Sequence, residues 1–325
     1  MYPFTFSTAA DERAALAAAA DGAQYIAGGT TLIDLMRETV ERPASVVDIN
    51  ALPYRAIDVQ PTRVRVGALV RMNDLANDAF VRAEYPVITQ ALELSASRQL
   101  RAMASIGGNL MQRPRCLYFR DVSAECNRRT AGAGCAAIEG RNRGHAILGT
   151  SSACVATHPS DLAVALTALD AEVVVRGQAG ERVIPIAEFF LQPGKTPDRE
   201  HSLQPAELIT AIDIPRLPEA RRSGYLKVRD RESYEFALAS AAVAVELRGD
   251  TVVSARVAVG GVGTVPWRLP RVEEALRGGI ASAALWESAS ALAAEGAKAL
   301  SENGFKIELI KRTVSRELAI VTGRS

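Results

Sequence analysis

All four cysteines of this 325-residue chain, Cys116, Cys126, Cys135 and Cys154, crowd between positions 116 and 154. Thiolates bind soft metals, and four of them meet the donor count of a tetrahedral zinc or of an iron–sulfur cluster. The spacing C-x9-C-x8-C-x18-C has neither the close pairs of a zinc ribbon nor the short-spaced run of a bacterial ferredoxin, so spacing alone selects no metal. Composition adds to it. Arg113, Arg115, Arg120, Arg128, Arg129, Arg141 and Arg143 outnumber Asp121, Glu125 and Glu139 here, and guanidinium and backbone N–H donors offset the negative charge of a four-thiolate cluster. Gly132, Gly134, Gly140, Gly144 and Gly149 let the chain wrap closely around a compact object. A cluster, a structural zinc, unligated thiols and two disulfides are the states open to these residues. His145 and His158 lie close enough in sequence to replace a thiolate but are read as structural supports, and His201 is given no role.

Two glycine pairs are the second chemical feature, "AGGTTL" at 27–32 and "SIGGNL" at 105–110. A glycine pair lets backbone N–H groups approach an anion, and a helix starting just beyond adds its positive end, so each pair is a candidate diphosphate cradle. The plain alternative is a tight turn between strand and helix. Neither pair, nor "GGVGTVPW" at 260–267, has the G-x-G-x-x-G spacing of a Rossmann dinucleotide site.

The elements that must hold these residues follow from periodicity. "TAADERAALAAAADG" reads as a helix with acidic residues in its first turn, closed by Gly22. "AQYIAGGTTLIDLMRE" gives a strand, a turn and a helix, "SVVDINAL" and "RVRVGALV" give strands, and "MNDLANDAFVRAEYPVITQALELSA" gives helical material. The polar cysteine stretch interrupts this pattern, which resumes with "DLAVALTALDAEVVVRG". A boundary is expected at 213–223. Beyond it "FALASAAVAVELRGDTVVSARVAVGGVG" predicts two strands joined by a hairpin at "RGD", and Ile307, Ile310, Val314 and Leu318 form one apolar helical stripe. Strands followed by helices predict an α+β unit.

Bulk composition narrows the class. With 38 basic and 37 acidic residues and 48% hydrophobic content, the chain has ample core for two or three units and no global field pointing to nucleic acid or an anionic membrane. The N-terminal segment has no basic n-region and no long apolar run, so neither a signal peptide nor a membrane span is expected, and a secreted disulfide scaffold is disfavoured.

In order, "AGGTTLIDLMR", "RQLRAMASIGGNLMQ", "HPSDLAVAL" and "GYLKVRDRESYEFALASAAVAV" resemble the FAD-binding subunits of molybdenum hydroxylases, the xanthine dehydrogenase and carbon monoxide dehydrogenase group. The resemblance implies an α+β fold: a vanillyl-alcohol-oxidase-type FAD domain at 1–217, in two α/β subdomains of about 1–53 and 54–217, then a C-terminal α+β domain at 218–325. It implies that Ile26, Ala27, Gly28, Gly29, Thr30, Thr31 and Leu32 wrap the FAD diphosphate, with Ser105, Gly108 and Asn109 on its other side. Asp161 would lie near the ribose and adenine end, and Ile209 and Lys227 near the isoalloxazine ring. From the residues alone, Ser160 and Asp161 are equally a helix N-cap pair and Lys227 a solvated strand residue. Thr31 departs from the family, which often has Asp there. Most members lack the cysteine insertion, here 113–156. "RCLYFRD", "GCAAIEG" and "HAILGTS" resemble the FAD subunit of bacterial periplasmic aldehyde oxidoreductases, which implies a [4Fe-4S] cluster on Cys116, Cys126, Cys135 and Cys154.

No nucleophile–base set and no molybdenum-binding motif is recognisable in the sequence. The resemblance implies that aldehyde oxidation occurs on a large molybdenum-cofactor subunit, that a small subunit with two [2Fe-2S] clusters relays the electrons, and that this chain delivers them through FAD to an external, ferredoxin-like acceptor. It also implies the periplasm, reached by co-export with a signal-bearing partner; a cytoplasmic relative would have the same sequence features. The competing readings are a stand-alone FAD oxidase with a zinc-stabilised loop and a non-enzymatic docking module.

Overall fold

The computed structural model describes residues 1–324. The N-terminal unit is a three-stranded parallel sheet in which β3 (Ser45–Asp48) lies between β1 (Thr5–Thr8) and β2 (Gln24–Ile26). Helix α1 (Glu12–Ala20) starts where the Asp11 carboxylate accepts from the Ala14 N–H at 2.7 Å, and stops at Gly22, whose φ of +93° suits glycine. Helix α2 (Leu32–Arg37) follows the first glycine pair. Ala15, Leu16, Val47, Ile49 and Leu52 make the small core of this unit.

The second unit is an antiparallel five-stranded sheet in the order β4 (Ile57–Val59), β5 (Arg63–Gly67), β8 (Leu208–Pro215), β6 (Glu172–Gly177), β7 (Gly180–Pro185). Between β5 and β6 run short helices: α3 (Met72–Asn77), α4 (Ala79–Glu84), α5 (Pro86–Glu93), α6 (Arg98–Met103), α7 (Ile106–Leu110), α8 (Leu117–Arg120) and α9 (Asp161–Ala168). α10 (Ile186–Phe189) follows β7. Every residue of α9 is buried, because the helix is wedged between this unit and the next.

The C-terminal unit is an antiparallel sheet, β12 (Trp267–Arg268), β11 (Thr251–Gly260), β10 (Ala239–Arg248), β9 (Ser223–Val228), with Gly249 at φ +60° in the β10–β11 turn. Helices α11 (Pro270–Leu276), α12 (Ala283–Ser290) and α13 (Phe305–Thr322) cover one face. Side chains alternate across a strand: Ala239, Ala241, Val243 and Val245 join the core under these helices, while Ala242 and Ala258 join the core containing α9. The second face needs small residues. A Cβ on Gly260 would press into Val164 of α9 and Ser240.

The cysteine segment is more integrated than its polar composition predicts. Its outgoing limb enters the C-terminal core: Ile147 and Leu148 are buried there, and the Ile147 N–H donates to Val262 O at 2.8 Å. The helical tail shows the expected stripe in Ile310, Val314 and Leu318, with Ile307 only half-buried. Lys306 and Glu317 share the buried face, which an apolar pattern does not reveal. Lys306 Nζ donates to Gly144 O at 2.9 Å and Gly261 O at 2.6 Å, so a buried amine ties the cysteine segment to the C-terminal sheet.

Glu317 has no such ties, and burial pushes its carboxyl up from 4.5 to about 8. Gly224 leaves room for it, and Gln90, Arg221 and Arg222 line the adjoining hollow. Between pH 4.5 and 8 the folded chain keeps a proton that the unfolded chain has released, so this group's stability contribution falls as pH rises, by about 1.4 kcal/mol per unit. Thermal unfolding of Glu317→Gln should show that slope removed, with its advantage over the native chain smallest near pH 5 and largest near pH 8.

Candidate functional site

A cleft of about 610 Å³ opens between the parallel sheet and the five-stranded sheet, a size suited to a cofactor. Ile26, Ala27, Gly28, Gly29, Thr30, Thr31 and Leu32 line it, opposite Ser105 and Gly108, with Ile209 of β8 and the segment 198–204 completing the walls. Both glycine pairs therefore face one space.

The first turn is built with its N–H groups free. Among the described residues, the backbone N–H groups of Gly28, Gly29, Thr30 and Thr31 make no hydrogen bond. The turn is held instead through its carbonyls: Asn50 Nδ2 donates to Ala27 O at 2.9 Å, Ile33 N to Gly29 O at 3.0 Å, and Arg71 Nη2 supports Asn50 Oδ1 at 2.8 Å. Gly29 sits at φ +69°, and a Cβ on Gly28 would overlap the Met103 carbonyl. A half-buried row of free donors at a turn where only glycine fits is an anion cradle, and it fits a diphosphate. Thr31 precedes α2 without a side-chain capping bond, so no side chain occupies those donors.

The second pair is used differently. Ser105 Oγ accepts from the Gly108 N–H at 3.2 Å, and Gly107 packs on Ala68, with its N–H donating to Ala68 O at 2.8 Å. This side of the cleft is a close-packed wall whose polar groups are already engaged. Asn109, expected at the flavin, does not line the cleft; it is buried, with Oδ1 accepting from Ser160 Oγ at 2.5 Å, and locks α7 to α9.

Asp161 and Lys227 also lie outside the cleft lining. The resemblance gives them separate positions along the flavin, but here they meet each other: Lys227 Nζ lies 2.8 Å from Asp161 Oδ2 and donates to Leu94 O at 3.2 Å. Asp161 also accepts from Tyr225 Oη at 2.7 Å and Ser95 Oγ at 3.0 Å. Two buried charges must pair, and that requirement brings them together. Burial and the Asp161 charge push the Tyr225 hydroxyl well above its ordinary range. Ser160 caps α9 by accepting from the Ala163 N–H at 3.0 Å, as the sequence allows.

Sequence reading passed over an aromatic and charged wall. His201 lines the cleft and stacks on Phe189, and His158 packs edge-on against Phe190 at 4.4 Å. Burial depresses both imidazoles, His158 to about 3, so both are neutral at pH 7. Glu41, Arg113 and Glu200 complete this side. Only proximity in the fold reveals them.

All four cysteines are free thiols. The chain brings Cys126 and Cys135 opposite each other in a backbone bridge, and Cys126 and Cys154 lie near enough to Cys116 and Cys135 to disfavour their ionisation. Burial pushes Cys116 to about 12, against N–H groups of Phe119 and Tyr118 that favour the thiolate. Burial likewise raises Cys135, against N–H groups of Ala137 and Val155. His145 Nε2 is 3.2 Å from Cys116 Sγ, and Arg128 Nη2 is 3.6 Å from Cys154 Sγ. Among the described residues, no three His, Cys, Asp or Glu side chains form a single-ion metal site. The arginine excess is mostly neutralised from outside the segment: Arg115 and Arg120 pair with Asp34, Arg120 also with Glu38, and Arg143 with Asp230. Arg129 Nη1 donates to Phe119 O at 2.6 Å.

With a row of free backbone N–H groups facing it, the cleft is suited to hold a diphosphate-bearing cofactor, which defines the class of protein. Residues 2–217 match the family described as FAD binding domain in molybdopterin dehydrogenase, and residues 224–319 match the CO dehydrogenase flavoprotein C-terminal domain. The chain is 45% identical over 300 residues to the aldehyde oxidoreductase FAD-binding subunit PaoB of Escherichia coli, covering 92% of this chain and 91% of that protein. It is 26% identical to the carbon monoxide dehydrogenase medium chain of Hydrogenophaga pseudoflava, covering 86% and 79%. Its fold superposes on a chain of CO dehydrogenase from Oligotropha carboxidovorans with TM-score 0.78 at 22% identity, covering 100% of both chains. This chain belongs to the FAD-binding subunits of the molybdenum hydroxylases and is therefore an oxidoreductase subunit.

Gly28→Ala should lower FAD retention about tenfold, read from the flavin-to-protein absorbance ratio, because overpacking against backbone costs about 1–3 kcal/mol. Lys227→Met should destabilise the fold by about 3–5 kcal/mol in chemical unfolding by stranding Asp161, and adding Asp161→Asn should recover much of the loss.

Proposed function

We propose that this chain is the FAD- and [4Fe-4S]-binding electron-transfer subunit of a molybdenum-containing aldehyde oxidoreductase. Electrons enter from the [2Fe-2S] clusters of a small partner subunit, aldehyde is oxidised on a large molybdenum-cofactor subunit, and an external acceptor of ferredoxin type takes the electrons from this chain. The observation that carries the reading is the 45% identity, over nearly the whole length, to an aldehyde oxidoreductase FAD-binding subunit.

When bound, FAD accepts and releases electrons singly or in pairs, which suits it to join one-electron centres to a varied acceptor. The chain's own residues hold it. The free N–H groups of Gly28 to Thr31 bind the diphosphate, Ile209 and Phe190 supply apolar contact, and the neutral His158 and His201 add ring surface without charge.

For the cysteine segment, four free thiols, N–H donors onto two of the sulfurs and a guanidinium at a third support a four-thiolate cluster. By the same reading the complex works in the periplasm, exported folded with a signal-bearing partner.

Iron, zinc and flavin analysis of the purified complex, with low-temperature EPR of the dithionite-reduced sample, tests this. One FAD per chain and a [4Fe-4S] signal lost in Cys135→Ser are expected, together with no aldehyde turnover by this chain alone. Zinc in place of that iron overturns the cluster assignment, and turnover by the isolated chain overturns the subunit role.

A further inference from the structure

The flavin cleft and the cysteine segment share a half-buried carboxylate. Glu200 lines the cleft and accepts from Arg113 Nε at 2.8 Å, while its other oxygen, Oε2, lies 3.2 Å from Arg128 Nη1. Arg113 pairs on its far side with Glu41, also in the cleft wall. Arg128 lies behind the wall with only 5% of its side chain exposed, and its other arm reaches Cys154 Sγ. Burial opposes the charge on Arg113, but attraction to Glu200 and Glu41 outweighs it and its pKa is raised. Glu41, Arg113, Glu200 and Arg128 set two carboxylates against two guanidiniums, so their formal charges sum to zero.

Such a sum is informative because charges in a weakly screened wall act strongly on a redox centre beside them. The Arg128 guanidinium lies between Glu200 and Cys154, with one arm on each. We propose that Glu200 and Arg128 are a compensating charge pair that sets the reduction potential of FAD in the cleft. They act as positioning residues, and the inference rests on flavin occupying this cleft.

The sign of each change distinguishes this role from simple structural support. Removing the carboxylate leaves an excess positive charge and favours the reduced flavin; removing the guanidinium leaves an excess negative charge and disfavours it. In the intact complex, flavin reduction equilibrated against a reference dye should shift about tenfold towards reduced flavin in E200Q, about 30 mV for a two-electron couple. In R128M it should shift towards oxidised flavin, and the double variant should return close to native. E200Q is nearly isosteric and decides alone if R128M does not assemble. An unchanged ratio in E200Q, or shifts of the same sign in both variants, overturns the proposal. Iron analysis of the same samples keeps the two readings apart: a native complex with zinc in place of that iron sinks the cluster assignment but leaves the E200Q shift expected, whereas normal iron with no shift sinks this pair.

Discussion

The buried pair of Asp161 and Lys227 is the constraint on which the two-domain arrangement rests. Asp161 opens α9, Lys227 lies in β9, and their side chains are 7% and 1% exposed. Because a lone buried charge is far more costly than a paired one, neither element can leave the other, and Tyr225, Ser95 and the Leu94 carbonyl fix the direction of approach. The fully buried α9 is thus clamped against the C-terminal sheet, and small residues such as Ala242, Ala258 and Gly260 let it lie close. With α9 fixed, Ser160 fixes Asn109, and Asn109 fixes the glycine-bearing α7 in the cleft wall. A pair outside the cleft therefore determines one of its sides.

The cysteine segment solves a different problem. An irregular stretch of this length has few backbone partners of its own and must find them elsewhere. Asn127 closes one loop through Gly134 and Ala153, Asn142 joins the chain to Ser301 and Glu302, and Lys306 and Asn303 donate to the carbonyls of Gly144, His145 and Ala146 on its return path. On the other flank Arg120 reaches the acids of α2. The segment is thus held from the flavin domain and the C-terminal domain at once, with Cys126 and Cys154 buried and Cys116 and Cys135 half-buried.

Local pattern was legible in the sequence and distant pairing was not. The strand, glycine turn and helix around Gly28, the hairpin at Gly249 and the stripe of Ile310, Val314 and Leu318 are written in neighbouring residues, where period and turn chemistry suffice. The crowding of the thiols was equally plain, since all four are close in sequence. Asp161 and Lys227 are 66 residues apart, and nothing local to either marks the other as its partner. The same holds for Arg113, which reads as part of a basic loop and proves to be shared between Glu41 and Glu200. A count of arginines near cysteines could not show that most are paired with acids from outside the segment, Asp34, Glu38, Glu41, Glu200 and Asp230. His201 was invisible for a simpler reason: its place beside the cleft depends on the antiparallel return of the chain at Phe190 and His201.

The contrast between the two glycine pairs explains how one cleft both grips and orients a ligand. At Gly28 and Gly29 the turn is held by its carbonyls, leaving N–H groups free to bind charge. At Gly107 and Gly108 the N–H groups are already bonded, and the absence of side chains brings the wall close instead. A dinucleotide held by its diphosphate on the first side would have its depth set by the second, with the Phe190, His158 and His201 wall available to ring systems. Binding strength and position thus come from different residues.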